Sequence, residues 1–358
     1  MKLKRIAALV LAGVMTLSLA ACGSGSASKG GSSASGSASS GKTIKVGIVT
    51  DVGGVNDGSF NQSAWEGLQK AQKDFGIEAK YLESKTDADY QPNIETFIDG
   101  GYDMIICIGY ALADALKTEA EANPDQKFAI VDDSSLADMD NVTSLMFEAG
   151  QSSYLVGYAA GLTTKTNNVG FVLGQSTDMM NEFGFGYCAG VLDAGKEAGK
   201  DIKIQMANAN SFADTAAGKS AANAMITGGA DIIFQAAGGT GLGVIDACKE
   251  AGIWAIGVDS DQSSIAPKTI LTSAMKRVDN AVYAVAKDTK DGKVKGGVET
   301  FSLKDGGVDI APTTDNLDPD VLKKVQDVKQ QIIDGKITVP KTRDEFEKAY
   351  GKGIYTIK

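Results

Sequence analysis

Gly100-Gly101-Tyr102-Asp103-Met104-Ile105-Ile106, the stretch GGYDMII, returns in the second half of the chain as Gly228-Gly229-Ala230-Asp231-Ile232-Ile233-Phe234, GGADIIF. In each copy a Gly-Gly turn and an aspartate lead into an apolar run, and about thirty residues later another run ends in Val-Asp. These pairs are Val131-Asp132 and Val258-Asp259. Any two βαβ units share glycine turns and apolar strands. The matched spacing of the two pairs favours duplication of one unit instead.

The same rhythm runs through the rest of the chain. TIKVGIVTD, EAKYLESK, MIICIG and KFAIVDD alternate with helical stretches, and NVGFVLG, IKIQMANAN, IIFQAAG, IWAIGVDS and TILTSAM repeat the pattern. Strands this apolar on both faces, separated by helices, indicate parallel sheets covered on both sides. The expected class is α/β, with two doubly wound parallel-sheet lobes. Open sheets of this kind bind ligands beyond the carboxyl ends of their strands, so two lobes facing each other make a cleft. Asp51, Asp132 and Asp259 stand at or near predicted strand ends and are candidates to point into it. Each carboxylate can also be read as a cap for the next helix.

The segment from Thr50 to Leu68, TDVGGVNDGSFNQSAWEGL, joins the first predicted strand to its helix. Gly53, Gly54 and Gly58 permit a tight turn and close approach of a ligand to the backbone. The spacing is not G-x-G-x-x-G, and no GK[ST] follows. Asp51 and Asp57 would repel a phosphate, so the loop suits a neutral or cationic ligand. Ser59 and Gln62 form a capping-box pattern, which starts the helix at Phe60 and carries it to a stop at Gly76. Phe60 and Asn61 then sit on the first turn. Phe60 also shares helical spacing with Ala64, Leu68, Ala71 and Phe75, and spacing alone favours reading it as the head of a core stripe over a ligand contact.

The second lobe has a comparable block, MMNEFGFGYCAGVLDAGKEAG, with Phe183, Phe185 and Tyr187 among glycines at a predicted helix start. Phe183 and Tyr187, four apart, also fit a core face. One aromatic from each lobe would let a planar ligand stack between them.

Outside the body, MKLKR and the apolar run IAALVLAGVMTLSLAA precede Cys22 in secretory order, so residues 1–21 read as a signal peptide. Residues 22–42 read as a flexible linker of Gly, Ser and Ala. The remaining body is divided into one lobe of residues 43–165 plus about 276–298 and a second of 166–275 plus about 299–358, a length that suits two lobes. The formal charge is −10, and loss of Lys2, Lys4 and Arg5 with the signal would make it −13. Such an acidic surface argues against nucleic acid. With no histidine in the chain, the usual nucleophile–base pairs and the commonest transition-metal ligand are missing. No enzyme activity, cofactor or metal is expected. Cys107, Cys188 and Cys248 have no paired spacing and read as buried small hydrophobes.

Leu19-Ala20-Ala21-Cys22, DVGGVNDGSFNQSAWEGL, FAIVDD, FGFGYCAG, IIFQAAGGTGLGV, IGVDSDQ and TSAMKRVDNAV, taken in order, resemble the basic membrane protein family of lipoproteins. These are substrate-binding proteins of ABC transporters, with purine nucleoside receptors among them. The resemblance runs from Cys22 to near Phe301. It implies a type I periplasmic-binding-protein fold with three segments crossing between the lobes, and a nucleoside in the cleft. Carried onto this chain, Phe60 and Phe183 would sandwich a purine, and Asp51 and Asn61 would lie along its polar edge. Asp132, Gly239, Asp259 and Lys276 would surround the base edge and ribose. The glycines flanking Phe185 leave open whether Phe183 or Phe185 stacks, and the Asp132-Asp133 pair leaves a choice that the echo with Asp259 tilts to Asp132. Cys22 would carry the lipid anchor, placing a monomer on the extracytoplasmic face of the cell membrane, with an ABC permease as partner. The implied ligand is inosine, guanosine or adenosine. Other readings are a sugar receptor of the same fold, a ligand-sensing module without transport, and a dinucleotide enzyme, the last disfavoured by the missing fingerprint.

Overall fold

In the computed structural model, which describes residues 42–357, both copies of the echoed stretch fold as a glycine turn feeding a parallel strand. The expected signal peptide, Cys22 and nearly all of the linker lie outside the described residues. Gly101 and Gly229 take positive φ, 64° and 90°, where a Cβ would be strained. The strands that follow are buried at every position, as their unbroken apolar runs require.

In chain order the first part contains β1 (Lys45–Thr50), α1 (Phe60–Phe75), β2 (Glu78–Leu82), α2 (Tyr90–Asp99), β3 (Met104–Ile108), α3 (Ala113–Ala122), β4 (Lys127–Val131) and β5 (Val142–Phe147). After α4 (Ala149–Thr163) come β6 (Asn168–Leu173), α5 (Asp178–Ala198), β7 (Lys203–Asn208), α6 (Thr215–Thr227), β8 (Ile232–Ala236), α7 (Thr240–Ala251), β9 (Trp254–Asp259) and β10 (Ile270–Lys276). The chain closes with α8 (Val278–Asp291), β11 (Gly297–Phe301), β12 (Val308–Ile310), α9 (Pro319–Ile333) and α10 (Arg343–Tyr350).

Two sheets result, with orders β2-β1-β3-β4-β5-β11 and β7-β6-β8-β9-β10-β12. The first five strands of each follow one order, so the echo in sequence is an echo in topology. Among the described residues every strand pairing is parallel except β10 with β12. This is the expected α/β architecture of two doubly wound sheets, of the type I periplasmic-binding kind.

The chain crosses between the sheets three times. At Glu148 it leaves β5 for α4, which packs on α5, α9, β10 and β12 of the second sheet. The first handover therefore comes at Glu148 and not after residue 165. At Arg277 the chain returns from β10 to α8, which packs on α1. The last crossing joins β11 to β12 after Phe301, because β11 pairs with β5 along its whole length. The expected handover at about 298–299 falls inside that strand. β5 breaks the alternating rhythm of the sequence, which demands a helix between strands, because the β4–β5 connection contains only turns.

The aromatic and glycine block read as a helix start lies within the long α5, which begins at Asp178 with Thr177 as its cap. Its glycines serve packing. A Cβ on Gly186 would meet the carbonyl oxygen of Gly150 on α4 at 2.1 Å, and one on Gly190 would meet that of Tyr154 at the same distance. The two helix backbones approach this closely only because those side chains are absent. Cys107, Cys188 and Cys248 are buried free thiols, and among the described residues no helix is long and apolar enough to cross a membrane.

Candidate functional site

α1 starts at Phe60 and stops at Gly76, which has φ 66°. The Ser59–Gln62 capping box does not form. Asp57 does the capping, its Oδ1 accepting from the amides of Ser59 (2.9 Å) and Gln62 (3.1 Å) and its Oδ2 from the amide of Asn61 (2.9 Å). A carboxylate has two acceptor oxygens and a charge that suits the positive end of the helix, so it displaces the neutral hydroxyl. Ser59 Oγ is thereby released to donate to Asp259 on the opposite sheet.

Asn61 is held between two carboxylates. Its Nδ2 donates to Asp51 Oδ1 (2.8 Å) and Asp57 Oδ2 (3.0 Å), while the buried Oδ1 has no hydrogen-bond partner among the described residues. Such an atom is rare in a folded chain and marks a place for a donor from elsewhere. Burial pushes the Asp51 carboxyl up from an ordinary 3.8 to about 6, against the opposing bonds from Gly53 and Asn61.

Asp132 follows β4 and Asp259 ends β9, the equivalent strand of the second sheet, and both have φ 65°. Lys276, at the end of β10 and 2 % exposed, donates its ammonium to Asp132 across the cleft. Burial raises the Asp132 carboxyl, with Lys276 opposing. Burial likewise raises Asp259 to about 6, again against Lys276. The Lys276 ammonium lies 4.6 Å from the centroid of the Phe60 ring, 5.2 Å from Phe147 and 5.7 Å from Phe183.

These groups wall a cavity of about 140 Å³ beyond the strand ends. Asp51, Phe60, Asn61, Asp132, Phe183, Asp259 and Lys276 all line it. Gly239 does not; it caps α7, and its neighbours Ala237 and Gly238 form the wall. Phe60 is half-buried at the cavity, while Ala64, Leu68 and Ala71 behind it form the buried stripe. Phe183 faces the cavity. Phe185 turns away into a cluster with Phe346 and Tyr355, at centroid distances of 5.7 and 4.7 Å. Asp133 is absent from the wall and accepts from Ser135 instead.

Sequence reasoning missed several members of the wall. Tyr110 and Gln175 meet across the cleft, the hydroxyl donating to Oε1 at 3.1 Å. Both follow strand ends, β3 and β6, so the rule that selected the aspartates could have found them. Met179, Met180 and Phe212 also line the cavity, but nothing in their local pattern sets them apart from core residues.

A sequence model of the Bmp family, described as ABC transporter substrate-binding protein PnrA-like, matches residues 44–343. The CD4+ T-cell-stimulating antigen of Listeria innocua is 42% identical over 361 residues, covering 94% of this chain and 99% of that protein. The ABC transporter nucleoside-binding protein BmpA of Lactococcus lactis is 41% identical over 319 residues, covering 83% of this chain and 89% of that one. A solved ABC transporter system solute-binding protein from Aeropyrum pernix is similar in structure, with a TM-score of 0.78, 28% identity, and coverage of 85% and 96%.

Proposed function

This chain belongs to the Bmp family of PnrA-like ABC transporter substrate-binding proteins, and on that premise we propose that it captures purine nucleosides between its lobes and delivers them to an ABC permease. The observation that carries the reading is the pairing of Phe60 and Phe183. Two phenyl rings from α1 and α5 border one cavity, each with hydrogen-bonding groups beside it. A purine inserted between them stacks on both faces, at about 1–3 kcal/mol per aromatic contact. The free Oδ1 of Asn61 accepts from a donor on the base edge, and Asp51 adds a second acceptor. Asp132 and Asp259 accept from the ribose hydroxyls in charge-assisted bonds, and Lys276 donates to ribose oxygens while offsetting the acidic wall.

The family is one of binding proteins, and the task asked of this site is differential affinity. A ligand that touches both walls favours the closed arrangement over any open one. In this reading the mature protein is a monomer held to the extracytoplasmic face of the cell membrane by lipid on Cys22. Two acyl chains, at about 0.8 kcal/mol per buried methylene, suffice for stable anchoring.

A thermal-shift screen of inosine, guanosine and adenosine against free bases and sugars tests the ligand assignment. Nucleosides are expected to raise Tm and the separate fragments to leave it unchanged. A sugar that stabilises where no nucleoside does would replace this reading with a sugar receptor.

A further inference from the structure

Beside the Ser59–Asp259 contact lies a second bridge, made by a side chain that no ligand role requires. Gln262 sits just beyond β9 and is 1 % exposed. Its Oε1 accepts from the Val258 amide (3.1 Å) and from Gln235 Nε2 (2.9 Å), and its backbone N–H donates to Ser273 Oγ (3.2 Å). Its Nε2 reaches the other sheet and donates to the carbonyl of Gly58 at 2.8 Å. Gln235 Oε1 in turn accepts from the amide of Ala237 on the cavity wall (3.1 Å).

The fold makes room for this relay. A Cβ on Gly257 would lie 2.5 Å from Gln262 Oε1, and one on Gly241 would lie 2.0 Å from Gln235 Oε1. The relay thus ties together the Ala237 wall, the Val258-Asp259 turn and the entry loop of α1. A buried amide with both ends satisfied only when the sheets meet favours that meeting, because separation leaves a polar group without its partner.

We propose that Gln262 is a positioning residue that couples cleft closure to presentation of Asp259: it locks the strained Asp259 turn and latches it to Gly58, so that a bound ligand is retained by a bond it does not itself make. The proposal rests on the nucleoside reading for its ligand, but the latch itself is independent of ligand identity.

Gln262→Met keeps the length and removes both hydrogen-bonding functions. Stopped-flow binding of inosine to the full chain is expected to show koff raised about three- to tenfold with kon within twofold, in keeping with loss of a buried hydrogen bond. A merely structural role would lower Tm or the active fraction and leave koff alone. A koff change below threefold overturns the proposal. If Gln262→Met does not fold, Gln262→Glu at pH 8 is judged by the same criterion, since its carboxylate keeps the acceptor for Val258 and Gln235 and loses the donor to Gly58. If inosine does not bind the wild type, the nucleoside reading fails by itself, and small-angle scattering of the protein alone decides the latch. A larger radius of gyration in the variant supports it, and identical profiles overturn it.

Discussion

Asp132 and Asp259 occupy equivalent strand ends of the two sheets with the same left-handed backbone, φ 65° in each. Few residues other than glycine take that conformation, and Asn and Asp are the least penalised. The shared topology therefore delivers one carboxylate, on one kind of turn, to each wall of the cavity.

For Asp259 this separates charge from conformation. Asp259→Asn tolerates φ 65° and should keep Tm near that of the wild type, while nucleoside affinity falls roughly 10- to 100-fold, the worth of a charge-assisted bond. Asp259→Ala should lose affinity and also stability, because alanine is strained there. Calorimetry and thermal unfolding of both variants check this; full affinity in Asp259→Asn would mean that the wrong carboxylate has been assigned to the ribose.

The aromatic assignment yields a contrast among three phenylalanines. Phe60→Ala and Phe183→Ala should each weaken nucleoside binding by about 1–3 kcal/mol. Phe185→Ala should instead cost about 3–5 kcal/mol of stability, as for a large buried ring, with affinity in the folded fraction little changed. Equal affinity losses at Phe183 and Phe185 would contradict the placement.

Lys276 and Asp132 form a buried pair, so removing one partner leaves the other charge uncompensated. Lys276→Met is expected to lower stability by about 3–5 kcal/mol, and adding Asp132→Asn should restore a substantial part of it. Denaturant unfolding of the single and double variants measures the coupling. Additive losses would show that the two groups do not depend on each other.

Asp51 and Asp259 make stability and binding respond oppositely to acid. Each carboxyl shifts from an ordinary 3.8 to about 6 in the folded protein. Between about pH 6 and 4 the folded state holds protons on these groups that the unfolded chain has released, so their contribution to stability rises as pH falls through that window and levels off below it. Exposed carboxylates paired with lysines, such as Asp74 and Glu197, are held below their ordinary values, and their losses come at lower pH. Nucleoside affinity should decline from pH 8 to pH 5, because a protonated carboxyl is the weaker acceptor. Chemical denaturation and titration across this range test both trends, and an affinity flat with pH would contradict the charged role.

The sequence was most legible where burial leaves its mark on both faces of a strand. β1, β3, β4, β6, β8 and β9 read directly from apolar runs, and the strand-end rule found Asp51, Asp132 and Asp259. Phe60 was ambiguous because the same spacing serves a core stripe and a cavity wall; only its position ahead of Ala64 and Leu68 at the strand ends separates them. What escaped was decided by distant partners. α4 looks like a continuation of the first lobe until its glycine contacts with α5 assign it to the second. Ser59 looks like a cap until Asp57 takes the helix amides, and Gln262 is unremarkable until Gly58 arrives from the other sheet.

Closure of the two lobes on an intact nucleoside is checked by calorimetric titration of the protein with inosine, alongside ribose and the free base hypoxanthine. One-site saturation by inosine is expected, at least 100-fold tighter than ribose, which lacks the two stacked faces, and at least 100-fold tighter than hypoxanthine, which stacks but lacks the charge-assisted bonds of the ribose hydroxyls. Binding of ribose or the base as tight as that of inosine, or saturation by a sugar with none by inosine, would contradict it.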